Sequence, residues 1–307
     1  MIKKCILLTL FCLWFVTTSL FAQTNYEMIV EQTDGNKYYF ELSEIKEVYF
    51  AIKVDTDDTS IEAMFAYLTS EKLGGRYSGS EGIKKAERYI CNLIGISDSL
   101  TRISFPTDKC DMTNIIFHVQ GETDSLIVIG AHYDAFGYVF QAAFPGADDN
   151  LSGVAVVLQL IKAIQRNKMH PHYSIDLCLW DGEEIGRYGS KYYLSKQSGP
   201  IKLYINIDTC GNSEFGLAYA YSDYTPNIVN EFAKMQEKLN MKVEEYHPTN
   251  YASDCDPFRD MNIPFISITD DIVIPPYIHS WEDNISIISF SRINNISMAL
   301  YERLLYF

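Results

Sequence analysis

The stretch that decides the fold is Leu-Ile-Val-Ile-Gly-Ala-His-Tyr-Asp, residues 126–134. Its first four residues are apolar and predict a buried strand, because a strand covered on both faces has apolar side chains at consecutive positions. The glycine that follows marks the strand's end, so His132 and Asp134 are expected to emerge at its carboxyl end. We therefore expect a functional site to begin at His132.

A second stretch, Gly-Ala-Asp-Asp-Asn-Leu-Ser-Gly, occupies residues 146–153. It leads into a segment, 154–164, with apolar residues at helical spacing. Asp148 and Asp149 thus stand just before a helix, where free backbone N–H groups favour carboxylates. Helix capping explains one of these acids, but it does not explain two of them beside a histidine at a strand end.

Apolar segments with strand and helix patterns alternate along most of the chain. The patterns predict strands at 113–119, 126–129, 175–180, 203–207, 216–221 and 265–268, and helices at 61–73, 81–93, 151–166, 187–196, 226–240 and 287–306. This alternation predicts an α/β domain that has a mostly parallel, twisted central sheet with helices on both faces.

The first 22 residues have the layout of a secretory signal peptide. Lys3 and Lys4 precede an apolar run at 6–16 that is too short for a membrane span, and Leu20-Phe21-Ala22 follows before Gln23. Cleavage there predicts an exported protein, periplasmic or extracellular, without stable insertion in a membrane.

Two further parts are expected after the signal peptide. Residues 23–56 form an N-terminal β-rich segment, in which short alternating stretches around Asp34-Gly35 predict a small hairpin or meander, with 37–40 turning toward 47–50. Residues 57–307 are of the usual size for one domain with a substantial core.

Charge and cysteine usage exclude several classes of function. The formal net charge of −15 makes nucleic acid and anionic membrane surfaces poor partners. No Cys-x-x-Cys pattern is present, which argues against a structural zinc site made of thiolates. An odd number of scattered cysteines remains after residue 22, so no disulfide framework is predicted: Cys91, Cys110, Cys178, Cys210 and Cys255.

Polar side chains follow three of the predicted strands. Open α/β sheets bind their ligands at the carboxyl ends of the strands, so these side chains are expected to share one rim. A proline-stiffened loop, 275–283, adds a second histidine. The rim then offers imidazole and carboxylate groups, the ligands that suit zinc or a related divalent ion: His132, Asp134, Asp181, Glu183, Glu184, Asp208 and His279.

Six short motifs occur in an order that resembles the secreted two-zinc aminopeptidase family, which also contains glutamate carboxypeptidase and glutaminyl cyclase relatives. The resemblance runs from about Gly74 to His279. It rests on His-Tyr-Asp at 132–134, Gly-Ala-Asp-Asp-Asn-Leu-Ser-Gly at 146–153, Asp-Gly-Glu-Glu-Ile-Gly at 181–186, Asn-Ile-Asp at 206–208, Ser-Asp at 253–254 and Ile-His at 278–279.

The resemblance implies a co-catalytic pair of zinc ions. It places His132 and Asp208 on one ion, Glu184 and His279 on the other, and Asp149 as a bridge between them. Glu183 would be the general base, and Asp134 would orient the ring of His132, since ligating imidazoles usually need such a partner. Asp148 falls outside the ligand pattern and receives no role. The implied activity is removal of the N-terminal residue from peptides with a free N-terminus.

The chain departs from the family pattern in two places. Cys255 follows Ser-Asp where relatives commonly have histidine, and Ile278 stands where some relatives have a tyrosine that stabilises the oxyanion. Tyr251 or Tyr277 could supply that hydroxyl instead. Cys255 could pack as a small apolar side chain or contact the substrate.

Other interpretations stay open at this point. A glutaminyl cyclase would need a single zinc ion, held by Asp149, Glu184 and His279 alone. A non-enzymatic binding domain on the same scaffold is disfavoured because neither ligands nor base are missing. Each histidine taken singly could be an ordinary core or surface residue, and the Gly-rich loop at 74–80 is interpreted as a structural loop beside the site.

Overall fold

The computed structural model describes residues 27–31, 37–41, 60–139, 142–214, 217–221, 243–246, 253–270 and 275–305. The chain divides into two compact units, 1–52 and 53–307. The signal peptide lies outside the described residues, and the predicted boundaries at 22 and 56 stay predictions.

The first unit contains an antiparallel hairpin. Strand β1 (Glu27–Glu31) pairs with β2 (Lys37–Glu41), and Glu27 lies opposite Glu41. Asp34-Gly35 stands between the two strands in the sequence. The pairing of 37–40 with 47–50 falls outside the described residues.

The second unit is built on one eight-stranded sheet. Its strands are β3 (Leu100–Pro106), β4 (Asp111–Val119), β5 (Thr123–His132), β8 (Tyr173–Trp180), β9 (Ile201–Ile207), β10 (Leu217–Tyr221), β11 (Val243–Tyr246) and β12 (Phe265–Thr269). Between β5 and β8 the chain forms a small separate hairpin of β6 (Gly137–Val139) and β7 (Ala142–Phe144). The order across the sheet is β11-β10-β12-β9-β5-β8-β4-β3.

The four central strands, β12, β9, β5 and β8, run parallel, and antiparallel pairings occur only toward the two edges. Val128 of β5 lies opposite Asp176 on one side and Tyr204 on the other. The predicted α/β class with a mostly parallel sheet is therefore confirmed. Strand β3 was not predicted, because it is an edge strand in which Phe105 is the only fully buried side chain.

Helices cover both faces of the sheet. They are α1 (Ile61–Leu68), α2 (Glu81–Ile94), α3 (Gly153–Asn167), α4 (Tyr188–Lys196), α5 (Asp256–Asp260) and α6 (Phe290–Leu304). Ile127 and Ile129 pack into a core with α1, α2, α3 and α6. Val128 points to the opposite face and packs into a second core with α4 and α5, as the alternation of side chains along a strand requires.

Local capping explains where several helices begin and end. Ser60, Ser80 and Ser289 each accept a backbone N–H from the first turn of α1, α2 and α6. Helix α1 ends at Leu68 rather than at the predicted residue 73, and the Thr69 hydroxyl donates to the Phe65 carbonyl, an alternative partner that competes with continued helix.

The predicted helix at 226–240 lies outside the described residues. Within the described part of the chain, no helix is long and apolar enough to cross a membrane.

Candidate metal centre

His132 ends the central strand β5 and is almost completely buried. Its Nε2 atom lies 3.2 Å from Asp149 Oδ1 and 3.4 Å from Asp208 Oδ1. Its Nδ1 atom faces Asp134, at 3.2 Å from the main-chain oxygen and 3.4 Å from Oδ1. Burial alone would lower the pKa of His132, but the Asp208 charge and the hydrogen bonds to these carboxylates raise it well above its ordinary value.

His279 approaches the same place from a loop. Its Nε2 atom lies 3.1 Å from Asp149 Oδ2 and 3.0 Å from Glu184 Oε2. Hydrogen bonds to these two carboxylates raise the pKa of His279 to about 10, despite partial burial. The backbone of His279 has a φ of 57°, and the ring of Phe136 packs beside its imidazole with centroids 4.4 Å apart.

Asp149 lies between the two histidines and presents one carboxylate oxygen to each. Burial would raise the pKa of Asp149, but its hydrogen bonds with His132 and His279 outweigh that effect and lower it. The turn that delivers Asp149 needs a glycine at Gly146, which has a φ of 58° and where a Cβ would stand 2.4 Å from the Asp149 carbonyl oxygen.

The turn after β8 brings in two glutamates, and Asp134 holds this turn. Asp134 Oδ1 accepts the N–H of Glu183 and Oδ2 accepts the N–H of Glu184, both at 3.2 Å. One carboxylate thus contacts the His132 ring and also fixes the backbone of both glutamates. Asp208, at the end of β9, is oriented by Ser253, whose hydroxyl donates to Asp208 Oδ2 at 2.6 Å.

These side chains fit a divalent metal. Ligand atoms of His132, Asp149 and Glu184 all lie within 4.8 Å of one another. Atoms bound at 2.0–2.1 Å around a tetrahedral zinc ion stand roughly 3.3 Å apart, and the imidazole–carboxylate distances here are 3.0–3.4 Å. Glu184 Oε1 is buried without a hydrogen-bond partner among the described residues, which leaves a lone pair for an ion.

The region around Glu183 is rich in buried carboxylates. Burial raises the pKa of Glu183 well above its ordinary value; the charge of His132 opposes this, and the negative charges of Asp254 and Asp208 add to it. Asp254 is fully buried, accepts the Ser190 hydroxyl at 2.6 Å, and has a pKa raised to about 7 by burial. Burial, followed by the charge of Asp149, also raises the pKa of Glu184 to about 7. Burial is thus the main cause of the raised pKa of all three carboxyl groups.

Asp148, which received no role from the sequence, is fully buried and hydrogen bonded. Its Oδ2 accepts the Tyr277 hydroxyl at 2.6 Å, and its Oδ1 accepts the Gly211 N–H at 2.7 Å. The Tyr277 hydroxyl therefore points at Asp148, which argues against the earlier suggestion that it stabilises an oxyanion. Tyr251, the other suggestion, lies outside the described residues.

The loop at 74–80 contributes more than a border to the site. The fully buried guanidinium of Arg76 donates to the carbonyl oxygens of Tyr133, Pro145 and Gly146, so it ties the loop after β5 to the turn that carries Asp149. No sequence pattern indicated this contact, because the partners are main-chain oxygens.

Cys255 has the first of its two suggested roles. It is fully buried in the same core as Tyr204 and Phe258, so it packs as a small apolar side chain. All five cysteines beyond residue 22 are free thiols.

Comparison with known proteins gives a family match and a set of similar folds. Residues 114–303 match peptidase family M28. Leupeptin-inactivating enzyme 1 of Streptomyces exfoliatus is 27% identical over 197 residues, which cover 62% of this chain but 43% of that protein. The chain thus spans less than half the length of this relative.

Two solved structures of similar fold have different activities in their names. A leucine aminopeptidase precursor from Bacteroides thetaiotaomicron has a TM-score of 0.67 at 18% identity, and the match covers 83% of this chain and 99% of that one. A glutaminyl cyclase from Porphyromonas gingivalis also has a TM-score of 0.67 at 18% identity, with 80% and 96% covered. At this identity, the likeness establishes the fold alone.

Proposed function

Since this chain belongs to peptidase family M28, we propose that it is a zinc aminopeptidase that removes the N-terminal residue from peptides with a free α-amine. One observation carries the proposal: the two oxygens of Asp149 lie 3.2 Å from His132 and 3.1 Å from His279, so a single carboxylate serves two ligand sets. We propose one zinc ion with His132 and Asp208, a second with Glu184 and His279, and Asp149 shared between them.

Bound zinc would supply Lewis acidity, which polarises the scissile carbonyl and lowers the pKa of water. The protein's own part is proton transfer and orientation. Glu183 is proposed to accept the proton of the attacking water and to deliver it to the leaving amine. Asp134 holds the backbone of Glu183 and contacts the His132 ring, so it keeps base and ligand in a fixed relation.

The signal-peptide pattern in residues 1–22 supports an exported enzyme. Peptide substrates are then met in the periplasm or outside the cell, and the formal charge of −15 disfavours nucleic acid as a partner.

Glutaminyl cyclase activity is the second candidate function, and the similar fold of the Porphyromonas gingivalis enzyme is the observation that favours it. A cyclase would use a single zinc ion, at Asp149, Glu184 and His279. His132 lies 3.2 Å from Asp149 and 3.4 Å from Asp208, and this closeness favours the two-ion proposal.

Metal counting on the purified mature protein separates these candidates. We expect two zinc ions per chain in the saturated protein, loss of activity on chelation, and cleavage of aminoacyl substrates only when the α-amine is free. One ion at saturation, with cyclisation of N-terminal glutamine, would establish the cyclase instead. Equal cleavage of N-acetylated and free peptides would contradict the aminopeptidase proposal.

A further inference from the structure

The loop that carries His279 is joined to the Asp149 turn by hydrogen bonds in both directions. Asp148, on the Asp149 turn, accepts the hydroxyl of Tyr277 at 2.6 Å. Asp283, on the His279 loop, accepts the N–H of Asp148 at 2.6 Å and the N–H of Asp149 at 3.1 Å. We call this set of contacts the Tyr277 clasp.

The clasp is buried, whereas the ligand beside it is not. Asp148, Asp283 and Tyr277 are all buried, but 46% of the His279 side chain is exposed. His279 also has a left-handed backbone conformation, which costs a non-glycine residue energy unless its surroundings hold it. Without the clasp, water on the exposed side of the His279 loop would compete for the loop's hydrogen bonds.

Each contact of the clasp acts on a neighbour of a proposed ligand. Tyr277 is two residues before His279, and Asp148 is next to Asp149 in the chain. A hydrogen bond between Tyr277 and Asp148 therefore sets the distance from the His279 ring to the Asp149 carboxylate. Hydrogen bonds made directly to a ligating side chain are commonly worth 10–100-fold in metal affinity, which sets the upper scale for a contact one residue away.

We propose that Tyr277 is a positioning residue for the ion between Asp149, Glu184 and His279, acting through Asp148. The inference rests on the proposed function, because it needs that ion. In this proposal the Tyr277 hydroxyl increases the affinity for the metal and does not stabilise the transition state.

The test is zinc titration of metal-free wild-type protein and Tyr277→Phe against a competing chelator. The substitution removes one oxygen and leaves the ring. We expect one of two ions to bind about 10–100-fold more weakly and the other to bind as in wild type. At saturating zinc, kcat should return to the wild-type value, because the hydroxyl does not touch the substrate.

Tyr193→Phe is the matched control. The Tyr193 hydroxyl donates to Asp176 at 2.6 Å in a buried pair of the same chemistry, and Asp176 is not among the proposed ligands. This variant should lose a similar amount of thermal stability without weakening either ion. If both variants weaken zinc equally, or neither does, Tyr277 is not a positioning residue.

Two further outcomes are decisive. A kcat loss that saturating zinc does not restore, with normal zinc affinity, would assign Tyr277 to the transition state and overturn the proposal. A wild-type protein that binds one ion, with that ion weakened in Tyr277→Phe, would support the clasp while refuting the two-ion function. If Tyr277→Phe fails to fold, Asp148→Asn offers the same test, since one amide oxygen cannot replace both carboxylate oxygens toward Tyr277 and Gly211.

Discussion

The two histidines of the candidate centre are held by different kinds of structure. His132 continues a central strand, and 2% of its side chain is exposed. His279 sits in a loop, and 46% of its side chain is exposed. Both reach the same carboxylate at nearly the same distance, 3.2 and 3.1 Å. The two histidine–Asp149 distances are therefore nearly equal, although the sheet holds His132 and only loop contacts hold His279.

The difference shows which contacts position each of the two histidines. The neighbouring strand β8 pairs with the backbone of His132, and the Asp134 carboxylate contacts Nδ1 of its ring. In the described part of the His279 loop, residues 275–283, no such strand pairing occurs, and the loop is contacted through Tyr277, Asp283 and the ring of Phe136. Variants on the two sides should then weaken different ions.

The largest expected effect concerns the glutamate turn that joins the two sides. Glu183→Gln should keep both ions while kcat falls by ~10² to 10⁴, the usual range for the loss of a general base. Glu184→Gln should instead weaken the His279-side ion, because a neutral amide is a poorer ligand. Metal content and kcat of both variants are the measurements. Metal loss in Glu183→Gln with retention in Glu184→Gln would mean that the two roles are exchanged.

The second prediction concerns the ion proposed at His132, the histidine held by the sheet. Asp134→Asn replaces the carboxylate whose Oδ1 lies 3.4 Å from Nδ1 of the His132 ring with a neutral amide. We expect about 10–100-fold weaker binding of the His132-side ion, as for other partners that orient a ligating histidine. Chelator competition measures the change.

Asp176→Asn is the control for that variant. Asp176 also contacts a histidine, His118, at 2.6 Å, but outside the centre. The Asp176→Asn variant should leave zinc affinity unchanged. Equal loss in both variants would show that the effect is general destabilisation and not orientation of His132.

The unequal support also explains how much the sequence could predict. Buried parallel strands are recognisable in the sequence as apolar runs, and their carboxyl ends lie at the same edge of the sheet. The strand positions alone therefore predicted that His132, Glu184 and Asp208 lie close together. His279 follows no strand. The sequence added it to the rim only as a histidine in a proline-stiffened loop, and the family resemblance alone gave it a ligand role, because a loop's path depends on contacts between residues far apart in the chain.

Contacts that support the ligands were the hardest to predict. Arg76 binds main-chain oxygens, which every residue type provides, so its partners leave no trace in the sequence. Asp148 and Asp149 are adjacent and chemically identical, and the family resemblance separated them without indicating that Asp148 faces Tyr277 while Asp149 faces the histidines. Edge strand β3 escaped prediction for a related reason, since half-exposed strands lack a continuous apolar run.

The smallest expected effect tests the loop side through packing alone. Phe136 stacks on the His279 ring with centroids 4.4 Å apart and planes tilted by 39°. An aromatic pair contributes about 0.5–1.5 kcal/mol beyond its buried area, so Phe136→Ala should weaken the His279-side ion roughly 2- to 10-fold. Tyr192→Ala is the control, because it removes a stacked partner from Phe105 with centroids 4.2 Å apart, away from the proposed ligands. Zinc titration of both variants measures the difference. If Phe136→Ala weakened the His132-side ion instead, the separation between a sheet-supported and a loop-supported ligand would fail, because packing on the loop would then be transmitted to the sheet.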